Sequence, residues 1–262
     1  MTSYHNHTLF SDGTATAADM VTAAQQAGLG EVGISDHIVI HPQGRTFKWG
    51  MPLNRLEEYV AAVREAGRNA HIPVRLGIEA DFFEETADQL RELLGRYPFD
   101  YVIGSVHFAG GFMVDESRKK WEDLSPLQRD EKWSAYWGGI AGLARSGIFD
   151  FVAHLDLPKR FGFAMEENTS RAALAALDAV ARAGMAIEIN TSGWSHPVKE
   201  AYPSPALLQA AWQRKIEILV NADAHNPRDI DRFFGPAKLL AREAGYTQTV
   251  RFAGRKRSRT PL

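Results

Sequence analysis

The chain of 262 residues is predicted to form a single α/β domain, residues 1–262, built as a closed or nearly closed parallel barrel. Three observations predict it. Short apolar runs alternate with longer amphipathic ones from end to end, which is the mark of repeated strand–helix–strand units and a parallel sheet. Seven such units follow one another without a break in composition, at a length typical of one α/β barrel rather than of two domains. Nearly every apolar run ends on an ionisable or amide side chain, at the strand end where parallel barrels place their chemistry.

The elements read in order as follows. Residues 3–6 are the first strand and 16–27 a helix that Gly28 stops. Residues 31–35 are the second strand. Residues 53–69 are a long helix with Leu56, Val60 and Val63 near the helical period. Residues 74–78 are the third strand, 86–96 a helix with Pro98 beyond its end, and 101–105 the fourth strand. Residues 108–125 show no period and read as an extended loop, a length that usually serves function. A helix rich in Trp and Ala spans 127–146; its Trp133, Tyr136 and Trp137 read equally as core or as an interface between copies. Residues 149–154 are the fifth strand, 158–165 a loop, 167–183 a helix closed by Gly184, and 186–190 the sixth strand. A loop at 192–203 leads to a helix at 205–214, the seventh strand at 217–220, a helix at 228–244 stopped by Gly245, and a short terminal strand at 247–252.

Composition narrows the function. The formal charge of -2 gives no basis for binding nucleic acid or a membrane surface. The one charge run, Arg255, Lys256, Arg257 and Arg259, reads as a solvated tail. No run reaches the roughly 18 apolar residues of a membrane helix, and no basic-then-apolar leader opens the chain, so the expected location is the cytoplasm. Cysteine is absent, so a metal would be held by His, Asp and Glu alone.

Those residue types gather at the strand ends. His5 and His7 close the first strand, two apart and so on one side of an extended segment, with Asp12 in the following loop. Asp36 and His37 close the second, Glu79 and Asp81 the third, His107 the fourth, His154 and Asp156 the fifth, Asn190 the sixth, and Asp223 and His225 the seventh. A lone histidine at a strand end reads as an ordinary polar residue. Six histidines with several acids at the same end of seven strands do not, because so many ionisable groups brought together cost several kcal/mol each unless paired or bound to a cation. Imidazole and carboxylate without thiolate suit zinc, iron or manganese. The ligands outnumber one tetrahedral site, so two or three divalent ions are expected. Such sites stabilise the attacking and leaving oxygens of a phosphate ester, which points to a small-molecule phosphate ester as substrate. His71 reads as surface, while His41 and His196 lie in loops from which they could reach substrate.

The strings HNHTLFSDG at 5–13, SDH at 35–37, GIEADF at 77–82, DYVIGSVHF at 100–108, AHLDLPKRFG at 153–162 and NADAH at 221–225 resemble the polymerase and histidinol phosphatase (PHP) superfamily over nearly the whole chain. Together with NTSG…KEAYPSPALL they resemble its histidinol-phosphatases in particular. The resemblance implies a distorted, TIM-like (βα)7 barrel and a trinuclear metal centre. His5, His7, Glu79 and Asp223 would hold the first ion; Glu79, His107 and His154 the second; Asp12, His37 and His225 the third. It implies hydrolysis of L-histidinol phosphate in histidine biosynthesis. Asp156 is the expected catalytic acid or orienting group, with Asp12 as a second catalytic carboxylate. Arg160 and Lys159 are expected on the phosphate, and His41 and His196 on the rest of the substrate. The alternatives are a PHP-fold enzyme for another small phosphate ester, an exonuclease-like role, which the mild acidity disfavours, and a metal-binding module without catalysis.

Overall fold

The computed structural model describes residues 1–165 and 167–262. Seven strands follow the order β1 (Thr2–Ser3), β2 (Glu31–Ile34), β4 (Val74–Asp81), β5 (Tyr101–Ser105), β8 (Phe151–Val152), β9 (Ala186–Asn190) and β10 (Ile218–Asn221), and every neighbouring pair is parallel. β3 (His37–Ile38) also pairs with β4. The ring closes between the segments that follow β1 and β10: Ala224 donates to the His5 carbonyl at 3.1 Å, and His7 donates to the Ala224 carbonyl at 2.9 Å. The result is a nearly closed parallel α/β barrel, as the alternating runs predict.

Around it lie α1 (Ala17–Gln26), α2 (Leu56–Arg68), α3 (Ala87–Gly95), α5 (Pro126–Ser146), α6 (Glu167–Arg182), α7 (Pro205–Gln213) and α8 (Phe234–Glu243). Thr16 and Asp19 form a capping box at the start of α1, and Ser125 and Gln128 form one at the start of α5. Among the described residues no helix is long and apolar enough to cross a membrane.

The period-2 rule for strands sets what fills the barrel. Alternate residues Gly77, Glu79 and Asp81 of β4, Tyr101, Ile103 and Ser105 of β5, and Ala186, Glu188 and Asn190 of β9 share the inner face. The lower layers are apolar: Tyr4, Tyr101, Ile103, Phe151, Ala153, Ala186 and Leu219 form one buried cluster inside the ring. The Tyr101 side chain lies so close to β2 and β4 that a Cβ at Gly33 would fall 2.1 Å from its hydroxyl oxygen and one at Gly77 2.1 Å from its ring. The upper layer is polar, with Glu79, Ser105, Glu188 and Asn221 all buried. The switch from apolar to ionisable along each strand therefore puts the chemistry at one end by alternation alone.

The other end is plugged by β11 (Gln248–Ala253) and β12 (Lys256–Pro261), an antiparallel hairpin. Val250 and Phe252 enter the inner cluster. The basic run is thus part of an ordered hairpin rather than a tail, and its side chains stay exposed as the sequence suggests. Arg255 pairs with Asp150 at 2.5 Å, and Arg257 and Arg259 pair with Glu217 at 2.9 and 2.5 Å. The apolar alternation of β11 fixes its partner strand beneath the barrel, and the basic residues meet acids there. Phe252→Ala would remove a ring whose centroid lies 5.7 Å from that of Phe151. The expected cost is about 3–5 kcal/mol, a fall of roughly 10 °C in Tm with metal content unaltered. An unchanged thermal transition would show that the hairpin does not support the barrel.

Three other readings shift. The segment 108–125 is not structureless: it holds a hairpin, β6 (Phe108–Ala109) and β7 (Phe112–Met113), and a short helix α4 (Arg118–Glu122). The last helix starts at Phe234 rather than 228, because Phe233 adopts a left-handed backbone (φ 58°) after a tight turn at Pro227–Asp229. Trp133, Tyr136 and Trp137 are fully buried against one another and belong to the core.

Candidate metal centre

Glu79 sits at the centre of the polar end of the barrel, on the inner face of β4 and 1% exposed. One carboxylate oxygen lies 2.8 Å from His37 Nδ1, 2.9 Å from His5 Nε2 and 3.4 Å from His7 Nε2. The other faces His154 Nε2 at 3.2 Å and His107 Nε2 at 4.0 Å, and accepts from the Ser105 hydroxyl. A single carboxylate thus faces five histidines from four different strand ends. Asp223 closes the group from the opposite wall, with Oδ1 3.2 Å from His7 Nε2 and 3.6 Å from His5 Nε2. Asp12, in the loop after β1, brings an oxygen to 3.2 Å from His225 Nε2 and 3.8 Å from His37 Nε2. Gly13 makes this loop: a Cβ there would lie 2.3 Å from the His7 carbonyl oxygen.

A further ring of side chains holds these groups in place. His5 Nδ1 lies 3.0 Å from both oxygens of Glu188. Glu188 also accepts from the His154 amide at 2.8 Å, Asn190 Nδ2 at 2.7 Å and Asn221 Nδ2 at 2.8 Å. Asp81 accepts from the His107 amide at 3.0 Å and meets its Nδ1 at 2.9 Å. Asp36 accepts from the amides of Thr8 and Ser11 at 2.8 and 3.0 Å and so pins the loop carrying Asp12. Buried carboxylates on the far nitrogens of histidines are the arrangement that orients metal ligands and fixes their tautomer.

The electrostatics follow from this packing. Burial opposes charge on His5, yet Glu188 and Glu79 raise its pKa well above the ordinary value. Burial opposes His107 as well, and Asp81 pushes it up to about 10. Against its own burial, His225 is raised to about 9 by Asp12 and Asp223. Burial, with His37 and His225 beside it, drives His7 down to about 3. Glu79 and Asp223 are held well below the carboxylate range against strong desolvation, by His37 and His5 for the first and chiefly by His5 for the second. Without a metal, this cluster keeps its carboxylates charged only by protonating imidazoles that face them.

The donor set fits divalent cations. Both ring nitrogens of His7, and Nδ1 of His37 and of His154, are buried without a hydrogen-bond partner. The His37 and His7 nitrogens lie near carboxylate oxygens but outside hydrogen-bonding directions. Three sets of ligand atoms each converge within 4.8 Å: His7, Asp12, His37 and His225; His5, His7 and Glu79; and His37, Glu79 and His107.

A family model described as the PHP domain matches residues 3–192. Over 259 residues, covering 96% of either chain, the sequence is 40% identical to a protein of Deinococcus radiodurans named "Probable histidinol-phosphatase". The chain belongs to the PHP domain family. It is also 23% identical to a histidinol-phosphatase of Lactococcus lactis, with 97% of this chain and 94% of that one aligned. The fold superposes on a crystal structure of histidinol phosphate phosphatase from Lactococcus lactis in complex with zinc, L-histidinol and phosphate, with a TM-score of 0.82, 22% identity and 98% coverage of both chains.

Above the centre of this PHP domain opens a cavity of about 530 Å³. Of the residues expected on substrate, Arg160 and His196 line it. Asp156 and Lys159 do not: they pair with each other at 3.0 Å behind its wall, and the Asp156 carboxylate accepts from the Ser204 amide at 2.9 Å. The expectation that Asp156 projects beside His154 fails because the strand ends at Val152. Asp156 is not extended (φ −123°, ψ 43°), so the two-residue spacing no longer means one face. His41 also misses the cavity and lines a neighbouring depression, packed against Phe83 and Phe108. Several groups of the cavity wall escaped the sequence reading, among them Arg232, Asp115, Glu116, Asp229 and Trp49, whose ring stands 5.0 Å from His37 and 5.3 Å from His107. Glu188 escaped as well, although its place between two apolar residues of a buried strand was a usable signal. Glu188→Gln, which leaves the cavity wall intact, is expected to weaken metal affinity by ~10–100-fold. Titration of the stripped variant with zinc checks this, and wild-type affinity would remove Glu188 from the centre.

Proposed function

We propose that this chain hydrolyses L-histidinol phosphate to L-histidinol and phosphate with two or three divalent ions held at the end of the barrel. The observation that carries the reading is Glu79 amid five histidines of four strand ends, directly beneath a cavity lined by Arg160 and Arg232. His5, His7, Glu79 and Asp223 would hold one ion; Glu79, His107 and His154 a second; Asp12, His37 and His225 a third. Zinc, iron or manganese suits these donors. Bound there, such ions supply activation of water and neutralisation of charge on a phosphoryl group. The 40% identity to the Deinococcus protein supports histidinol phosphate as the ester.

The protein's own residues do the rest. Arg160 and Arg232 each leave a buried Nε without a partner; Arg160 pairs loosely with Asp115 at 3.9 Å, and Arg232 with Asp229 at 3.5 Å while donating to the Ala222 carbonyl at 2.8 Å. Phosphate oxygens would satisfy both guanidiniums. Asp115, Glu116 and Asp229 border the same cavity and would hold the ammonium and imidazolium of histidinol, with Trp49 as the flat wall for its ring. Burial, with Arg160 close by, lowers His196 to about 4, so it stands neutral at pH 7 and serves as a hydrogen-bond partner rather than a cation. Asp12, held below the carboxylate range despite burial by His225 and His37, acts as a ligand or proton acceptor.

A substrate panel tests the assignment. Histidinol phosphate is expected to exceed nucleoside monophosphates and sugar phosphates in kcat/KM by ~10²-fold or more, the worth of about two buried polar contacts. Equal rates across the panel would reduce the reading to a general phosphatase. Arg160→Ala is expected to raise KM by ~10–100-fold, the loss of one charge-assisted contact.

A further inference from the structure

Lys159 stands next to Arg160 but points away from the cavity. It is 7% exposed, and its ammonium has three oxygen neighbours: Asp156 Oδ2 at 3.0 Å, Glu200 Oε2 at 2.6 Å and the Ala201 carbonyl at 2.7 Å. Two different loops meet there. The turn Leu157–Phe161, after β8, carries Arg160; the segment after β9 carries His196, Glu200 and Ser204. The two are stitched again where Ser204 donates to Asp156 at 2.9 Å and where Val198 donates to the Arg160 carbonyl at 3.1 Å.

The Arg160 guanidinium, by contrast, is weakly held. Its Nε has no partner, and its nearest acid oxygen is 3.9 Å away. Its location is therefore set by its backbone, and its backbone is set by the stitch. We propose that Lys159 is a positioning residue, not a phosphate ligand: it clamps the Arg160 turn to the His196 loop so that both face the cavity at a fixed separation. The proposal rests on the reading of Arg160 as a phosphate-binding group. A buried ammonium with three oxygen neighbours suits this role, because breaking it leaves Asp156 buried and uncompensated. Displacements near 1 Å at a positioned group cost rate and affinity steeply.

A double-mutant cycle tests it, read by calorimetric binding of inorganic phosphate and by KM and kcat for histidinol phosphate. Lys159→Met is expected to weaken phosphate binding and raise KM by ~10-fold, with kcat within about twofold and metal content unchanged. In an Arg160→Ala background the same change is expected to move either quantity by less than about twofold, because the group it positions is gone. Glu200→Gln, at the more exposed end of the clamp, leaves Asp156 paired with Lys159 and so spares the fold; it is expected to give about a threefold shift that likewise disappears in the Arg160→Ala background. Equal fold-changes in both backgrounds, with Arg160→Ala itself weakening phosphate, would overturn the positioning role alone. Phosphate binding untouched by Arg160→Ala would overturn the phosphate reading and the positioning role with it.

Discussion

Glu79→Gln is expected to lower kcat/KM by at least ~10³-fold, the loss of some 4 kcal/mol or more of transition-state stabilisation. The substitution keeps the shape of the side chain and removes its charge. Five histidines lie within 4.0 Å of the Glu79 carboxylate, and they come from the ends of four strands. On the proposed ligand sets its loss would be felt at more than one ion. An amide offers one weaker oxygen and turns an N–H toward imidazole nitrogens that should carry lone pairs. The measurement is metal content per chain beside kcat/KM. A fall in both, with far-ultraviolet circular dichroism unchanged, is the expected outcome. A variant with full metal and near-normal turnover would remove Glu79 from the centre.

Stripping the metals with a chelator is the second large effect. Ions present at about 1,000 times their dissociation constant stabilise the fold by about 4 kcal/mol, and for a chain of this size that corresponds to roughly 8–16 °C in Tm. The direction is set by what the metal-free cluster must do. Its carboxylates stay charged, so its imidazoles take up protons: His107 rises to about 10 and His225 to about 9. At pH 7 both are neutral as metal ligands and protonated without metal. Chelation is therefore accompanied by proton uptake, and reloading by proton release. Calorimetry in two buffers of different ionisation enthalpy reads the sign. No proton exchange and no change in Tm would mean that the histidines do not serve as ligands.

Much of this was legible because strand alternation is a local rule. Gly77, Glu79 and Asp81 share a face for the same reason that His5 and His7 do, and a run that is apolar until its last residues puts the ionisable ones at a barrel mouth. The rule stops where the extended backbone stops. Asp156 lies past the end of β8, and the tight turn at Leu157–Phe161 sends it and Lys159 behind the cavity wall. Arg232 and Trp49 belong to segments whose course is set by tertiary packing, and no period announces them. The same holds for the C-terminal basic run. It reads as a tail in sequence, but Val250 and Phe252 alternate into the barrel floor and order it, so that the still exposed Arg255, Arg257 and Arg259 meet Asp150 and Glu217. Glu188 is the reverse case: a lone acid in a buried strand, visible in the sequence and passed over because it lies one layer below the ligands it orients.

On this reading the strand-end histidines and carboxylates form a metal centre for phosphate-ester hydrolysis. The most direct test is phosphate release from L-histidinol phosphate by the stripped protein as zinc or manganese is added back, with bound metal counted in the same samples. Turnover is expected to be absent without metal and to rise only as bound metal approaches two to three ions per chain. Phosphate release at full rate from metal-free protein would contradict it.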